Sequence, residues 1–170
     1  MLHMGGALPE TVDFFSRYRC KLHFVDLFDE LPRLAEPALA QDKPLAQHFR
    51  ELMRIQAGVQ FDLCLFWDLF NFLRLDAVAA LLNALEPHLH GDTRAHCFAV
   101  HSLKTDQSGM VYGIREVDQI NLRPRPAMLP GYSPHNQGQL ERVLGRFSVT
   151  RSVLLAQSRL ELLLSANRQT

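Results

Sequence analysis

The sequence predicts a three-layer α/β fold: a mostly parallel sheet that closes with an antiparallel C-terminal hairpin. Three observations point there. Strand-like and helix-like segments alternate along most of the chain, an order that lays crossover helices over parallel strands. "QFDLCLFWDLF" is apolar almost throughout, as strands buried on both faces of a parallel sheet are. The closing "FSVTRSVLLAQSRLELLLSA" reads as two strands around the turn "AQS", and short turns join antiparallel neighbours.

The elements follow in order. Met1–Met4 is a short apolar piece ending at Gly5-Gly6. A helix is expected from Pro9, because proline suits a first turn and Glu10 and Asp13 complement the helix dipole. Val12, Phe15 and Tyr18, with Phe14 beside them, give it one apolar face. "CKLHFVDL" (Cys20–Leu27) alternates at period two and ends in an acid, reading as a strand of about six residues. Prolines 32, 37 and 44 argue against a long regular element in the next stretch. "LAQHFRELMRIQA", at about residues 45–57, is amphipathic, with Gly58 as its stop signal. "LDAVAALLNALEP" predicts a helix at about 75–87, "HLHGD" a turn and "TRAHCFAVHS" a strand. Residues 103–132 carry no clear period: "VYGIREVDQINL" reads as a short strand or helix, and "RPRPAMLPGY" as a loop whose Arg123 and Arg125 are either solvated, the favoured reading, or ready to bind an anionic group or a partner. "SPHNQGQLERVLGRF" predicts a helix with Ser133 as N-cap and Pro134 in its first turn. No repeat or linker interrupts the 170 residues, so one domain, 1–170, is expected.

Composition narrows the function classes. Eighteen basic residues balance eighteen acidic ones, giving no electrostatic reason to expect nucleic acid as a partner. Cys20, Cys64 and Cys97 are odd in number, far apart and set in apolar runs, which points to a reducing, cytoplasmic compartment rather than a disulfide framework. No apolar run reaches the ~18 residues of a membrane span. No G-x-S-x-G and no G-x-x-x-x-G-K-[ST] is present, so neither an α/β-hydrolase nor a P-loop NTPase is expected. His88, His90, His96 and His101 cluster in sequence but lack a carboxylate or cysteine at diagnostic spacing, so no metal site is expected. The 11 phenylalanines allow an apolar homodimer face.

In open α/β sheets ligands bind beyond the carboxyl ends of the strands, where the strand order reverses. The turn after the first strand must let a ligand approach the backbone, which glycine permits. An acid ending the second strand accepts the hydroxyl hydrogens of a ribose. Asp26 stands there, about twenty residues after Gly5 and Gly6. Asp68 and Asn71 follow the apolar strand, Asp68 as a candidate for the crevice. His101 ends the strand before residue 103 and is a candidate polar contact or general base on the ligand side.

This layout resembles the class I S-adenosylmethionine-dependent methyltransferases, a Rossmann-like family. Three stretches carry the resemblance: "LHMGGALPETVDFF", "KLHFVDL" with its terminal acid, and the closing hairpin. It covers most of the chain outside about residues 28–44 and 103–132. The resemblance implies S-adenosylmethionine as cofactor, with Gly5, Gly6 and Ala7 flanking its methionine part and Asp26 holding its ribose. It places Trp67, Asp68 and Asn71 at the mouth of the family's fourth strand, beside the transferred methyl. It implies methyl transfer to an unidentified small-molecule or protein acceptor.

The departures from the family pattern are specific. Against glycine-x-glycine-x-glycine, Gly5-Gly6-Ala7-Leu8-Pro9 matches only at its first glycine. His3 stands where an acid is usual, helical residues before the first strand are lacking, and no third strand is evident between Asp26 and Phe61. These keep an alternative open: a non-catalytic binding or assembly module that kept the fold and lost the ligand, or a chain truncated at its start. A nicotinamide-binding domain is a weaker alternative, opposed by the closing hairpin and the absence of G-x-G-x-x-G.

Overall fold

The computed structural model describes residues 1–34, 43–104, 106–107 and 109–167. Six strands form one sheet: β1 (Leu2–Met4), β2 (His23–Val25), β3 (Phe61–Trp67), β4 (Leu89–Val100), β7 (Phe147–Leu154) and β8 (Arg159–Ala166). Their spatial order is β2-β1-β3-β4-β8-β7. β1 runs parallel to β2 and β3, and β3 to β4. β8 pairs antiparallel with β4 and with β7. The α/β class, the mostly parallel sheet and the closing hairpin are therefore as expected. Strand order reverses at β1: the chain goes first to β2 on one side, then to β3 on the other. Among the described residues no strand lies between β2 and β3.

Alternation along the strands sorts side chains onto two faces. Leu2, Met4, Cys64, Phe66, Cys97, Leu162 and Leu164 point to one face. There they pack with α3 (Leu45–Met53), α4 (Leu75–Leu85) and α5 (Gln137–Glu141) through Phe49, Val78, Leu81, Leu85 and Leu140. Burial pushes the Cys64 thiol up to about 12 and the Cys97 thiol higher still; both are inert apolar fillers. The other face carries Met1, Leu65, Trp67 and Phe98. α1 (Pro9–Ser16) and a separate hairpin, β5 (Met110–Glu116) with β6 (Gln119–Pro124), cover it. That hairpin, here called the arm, occupies the stretch whose sequence carried no clear period.

The arm is fastened to α1. The Ile114 backbone N–H donates to the buried Thr11 hydroxyl at 3.0 Å, Arg123 pairs with Glu10 at 2.8 Å, and Arg17 with Glu116 at 3.1 Å. Gly113 is what lets them meet. A Cβ there would stand 2.5 Å from Glu10 Oε1 and 3.0 Å from its Cδ and Cγ.

Several boundaries differ from the sequence reading, each for a local reason. β2 has three residues rather than about six. α3 stops at Met53 because Arg54 turns left-handed (φ 48°), before Gly58 is reached. The "HLHGD" turn lies inside β4 as a register shift, where Thr93 donates to the Phe61 carbonyl at 2.7 Å and accepts from His90 N–H at 2.9 Å. α5 begins after Asn136, not Ser133. Asn136 and Gln139 form a reciprocal capping box, while backbone bonds from Ser133 to Asn71 and from Val100 to His135 hold the preceding residues out of the helix. A 3-10 turn at Phe28–Glu30 runs into the short α2 (Leu31–Leu34), which contains Pro32; Pro37 lies outside the described residues. None of the eleven phenylalanines is exposed, so their number gives no support to a dimer face.

Replacing Gly113 by alanine is expected to loosen the arm from α1 and lower unfolding stability by about 1–3 kcal/mol. Pairing it with Glu10→Ala recovers part of that loss, because the clash is specific to Glu10. Urea unfolding of the two single variants and the double variant measures the coupling.

Candidate active-site crevice

The reversal at β1 fixes where a hollow forms. β1 ends at Met4, level with Val25 at the end of β2, and the chain leaves the sheet there. Gly5 does this with φ +132°, a conformation L-residues rarely adopt. Its N–H still donates to the Val25 carbonyl at 2.8 Å, tying the turn to the end of β2. Asp26 follows directly. One carboxylate oxygen accepts from Phe28 N–H at 3.1 Å. The other would lie 3.2 Å from a Cβ on Gly6, so a side chain there would crowd it. Asp26 is exposed at its rim, but partial desolvation raises its pKa above the usual carboxylate value; Asp29 adds to this, and the Phe28 N–H and Arg125 oppose it.

A cavity of about 220 Å³ opens at these strand tips, lined by Met4, Gly5, Gly6, Asp26, Phe28, Trp67, Tyr112 and Arg125 among others. A larger hollow, about 430 Å³, runs along the outer edge of β2, and Asp26 borders it too. Of the two, the smaller one gathers the carboxyl ends of β1, β2 and β3.

Its inner wall is a layered aromatic stack. Trp67, the last residue of β3, is left-handed (φ 53°), a strained state for a bulky residue. Three neighbours hold it. The Tyr112 ring lies parallel at 5.3 Å, Phe98 stacks at 6.4 Å, and the indole N–H donates to His3 Nε2 at 3.0 Å. Indole only donates, so Nε2 of His3 is the bare nitrogen and Nδ1 carries the hydrogen toward the Gly5 carbonyl at 3.4 Å. Burial pushes the His3 imidazole down to about 4, keeping it neutral. Where the family usually has an acid, His3 thus braces Trp67 and the glycine turn together.

Below the stack, Asp68 is 1% exposed. It accepts from the Tyr112 hydroxyl at 3.3 Å and from Arg125 at 3.4 Å. Burial pushes its carboxyl up to about 6, against the opposing pull of Arg125 and the Tyr112 hydrogen bond. Burial also raises the Tyr112 phenol, and the Asp68 charge adds to it. Arg125 directly follows β6, at the base of the arm. Its guanidinium lies 3.9 Å from the Phe28 ring centroid, and its side chain is 10% exposed.

The residues singled out in the sequence divide accordingly. Gly5, Gly6, Asp26 and Trp67 line one cavity, with Asp68 behind Tyr112 and Arg125. Ala7 is exposed and lies outside the lining. His101 stands one residue past β4, exposed, outside the lining and with its N–H bonded to the Ser158 carbonyl at 2.8 Å. Asn71 is engaged elsewhere: its amide donates to the Phe98 carbonyl at 3.0 Å and accepts from His135 N–H at 3.2 Å. The clustered histidines scatter, His88 to the Val59 carbonyl, His90 to Asp62 and His96 to Glu161. Among the described residues no group of three or more His, Cys, Asp or Glu converges as metal ligands. Sequence reasoning did not single out Tyr112, and for Arg125 it favoured a solvated loop over binding of an anionic group or partner; the arm carries both into the crevice.

No protein-family model matches the chain. No curated protein matches it. Solved structures do. An S-adenosylmethionine-dependent methyltransferase from Clostridium acetobutylicum aligns over 98% of this chain and 83% of its own, at 14% identity and a TM-score of 0.54. The glycopeptide N-methyltransferase MtfA complexed with S-adenosylmethionine aligns over 97% and 86%, at 14% identity and a TM-score of 0.51. A Burkholderia thailandensis 1,6-didemethyltoxoflavin N1-methyltransferase with bound 1,6-didemethyltoxoflavin and S-adenosylhomocysteine aligns over 98% and 70%, at 16% identity and a TM-score of 0.51. The chain therefore has the fold of the class I S-adenosylmethionine-dependent methyltransferases. Among the described residues no helix is long and apolar enough to cross a membrane.

Asp68 has a checkable pH signature. Its carboxyl is raised in the folded state from 3.8 to about 6, so the folded form holds the proton more tightly than the unfolded one. The stability this gives is full below about pH 4 and is lost as pH rises through about 6. Stability of the native chain relative to Asp68→Asn is therefore expected to fall across pH 4–6 and level off above, by an amount on the order of 3 kcal/mol. Urea unfolding at a series of pH values measures it.

Proposed function

We propose that this chain is an S-adenosylmethionine-dependent methyltransferase whose cofactor binds at the tips of β1 and β2. The observation that carries the reading is the meeting of Gly6 and Asp26, with 3.2 Å between the carboxylate and the place a Cβ would take. Bare backbone beside a half-used carboxylate suits a ligand that brings hydroxyl hydrogens to an acid and needs close backbone approach. In this reading Gly5 and Gly6 flank the amino-acid part of the cofactor, Asp26 takes the ribose hydroxyls and Trp67 walls the methyl end. The bound cofactor supplies a sulfonium-activated methyl group. What remains for the protein is alignment of the acceptor and exclusion of water, which the apolar stack of Trp67, Tyr112 and Phe98 is suited to do. The acceptor is an unidentified small molecule or protein.

One observation favours a second reading, a methyltransferase-fold module that binds no cofactor. About 220 Å³ is less than the ~300–1,000 Å³ of most ligand sites, and Arg125 closes the crevice against Phe28 and Asp68. A whole cofactor enters only if the arm gives way.

Calorimetry with S-adenosylhomocysteine separates the two. The first reading predicts saturable binding, weakened about 10- to 100-fold by Asp26→Asn, which keeps an acceptor for Phe28 N–H but loses the charge facing the ribose. An absence of heat at millimolar ligand, with the chain folded, favours the module.

A further inference from the structure

Arg125 is placed at a cost that its present contacts do not cover. Its side chain is nine-tenths buried, and a buried guanidinium needs its donors satisfied. Guanidinium carries five N–H donors in a planar fork. Among the described residues its side-chain hydrogen bond is the single, long one to Asp68, at 3.4 Å, and its Nε has no partner. Phe28 covers one face of the guanidinium at 3.9 Å, which leaves the edge as the part available to an acceptor. The backbone is anchored: Arg125 N–H donates to the Gly109 carbonyl at 2.6 Å, closing the base of the arm. The side chain lines the same cavity as Gly5, Gly6 and Asp26.

A second arginine backs it. Arg159 lies 5.8 Å from the Tyr112 ring centroid and 5.4 Å from that of Phe98, held by the Gln107 side chain at 3.1 Å. Gln107 in turn donates to the Gln157 carbonyl. The acids near this end are Asp68, which already shares Tyr112 and Arg125, Asp26, one of whose oxygens serves Phe28, and Asp29, whose charge acts on Asp26. Charges of both signs thus meet here, and the group with donors to spare is Arg125, beside aromatic walls.

We propose that Arg125 anchors a carboxylate-binding subsite in this crevice, gripping a carboxylate-bearing small molecule through its planar edge with Phe28 and Tyr112 as walls. A carboxylate matches the fork bidentately and gives the Nε hydrogen the acceptor it lacks. The carboxylate comes from one of two sources, the amino-acid tail of an S-adenosyl cofactor or a carboxylate on the methyl acceptor. Both sources rest on the function proposed above, whereas the subsite itself rests on the unsatisfied guanidinium of Arg125.

The test follows the Arg125 Nε–H signal by ¹H–¹⁵N NMR on the intact chain, assigned through its side-chain carbons. Three probes are added in turn: S-adenosylhomocysteine; 5′-methylthioadenosine, which keeps the adenosyl part without a carboxylate; and benzoate. A downfield shift on S-adenosylhomocysteine but not on methylthioadenosine identifies the cofactor tail. Arg125→Met then weakens S-adenosylhomocysteine about 10-fold or more and leaves methylthioadenosine within about 2-fold. A shift on benzoate alone assigns the subsite to the acceptor and makes that acceptor an aromatic or apolar acid. A signal unmoved by both carboxylates overturns the subsite, whatever calorimetry reports for the cofactor. A benzoate shift in a chain that binds no S-adenosylhomocysteine keeps the subsite and overturns the cofactor.

Discussion

The constraint on which the rest depends is the exit of the chain from β1. The three-residue β1 ends level with β2, and Gly5 turns the chain out of the sheet at φ +132°. Because that turn is tied to the Val25 carbonyl, Gly6 is delivered against Asp26. A larger residue at either position would push the turn off the end of β2 and open the wall of the crevice. The reversal of strand order at β1 then does the rest, since it leaves the tips of β1 and β3 uncovered by their own crossover helices.

What covers those tips is the arm. Its attachment to α1 through Thr11, Glu10 and the gap at Gly113 sets the height at which Tyr112 meets Trp67. That stack holds a strained tryptophan and presses a carboxyl into apolar surroundings. Both features cost stability, and both occur at the mouth of the crevice. Strain and buried charge concentrated in one place, on a sheet otherwise filled with leucine and phenylalanine, fit a site shaped for a ligand better than one shaped only for packing. The same arm narrows the cavity, so affinity and access are set by one element.

The order of elements was legible because periodicity and turn chemistry are local. β3 announced itself by a continuous apolar run, and the β7–β8 hairpin by two runs around "AQS". Gly5, Gly6 and Asp26 were legible because glycine and an acid at strand ends have local reasons to be there. The arm was not. Its tip, Glu116 to Gln119, contains no Asn-Gly or Asp-Gly pair, Val117 is exposed there, and β6 is mostly solvated. "RPRP" looks like a loop because the burial of Arg125 comes from Phe28 and Asp68, distant in sequence. Asn71 and Ser133 misled for a related reason. Each is committed to a long-range backbone bond, and tertiary bonds override a local capping signal. His101 pointed the right way along the strand but ends beyond the cavity's rim.

Amide hydrogen exchange, read segment by segment with and without S-adenosylhomocysteine, tests the central claim most directly. A ligand held at the tips of β1 and β2 under the arm protects residues 5–8 and 26–28 and alters exchange across 110–125. The outer hairpin at 147–166 is then unchanged. Protection confined to other segments, or none in a chain that remains folded, contradicts the account.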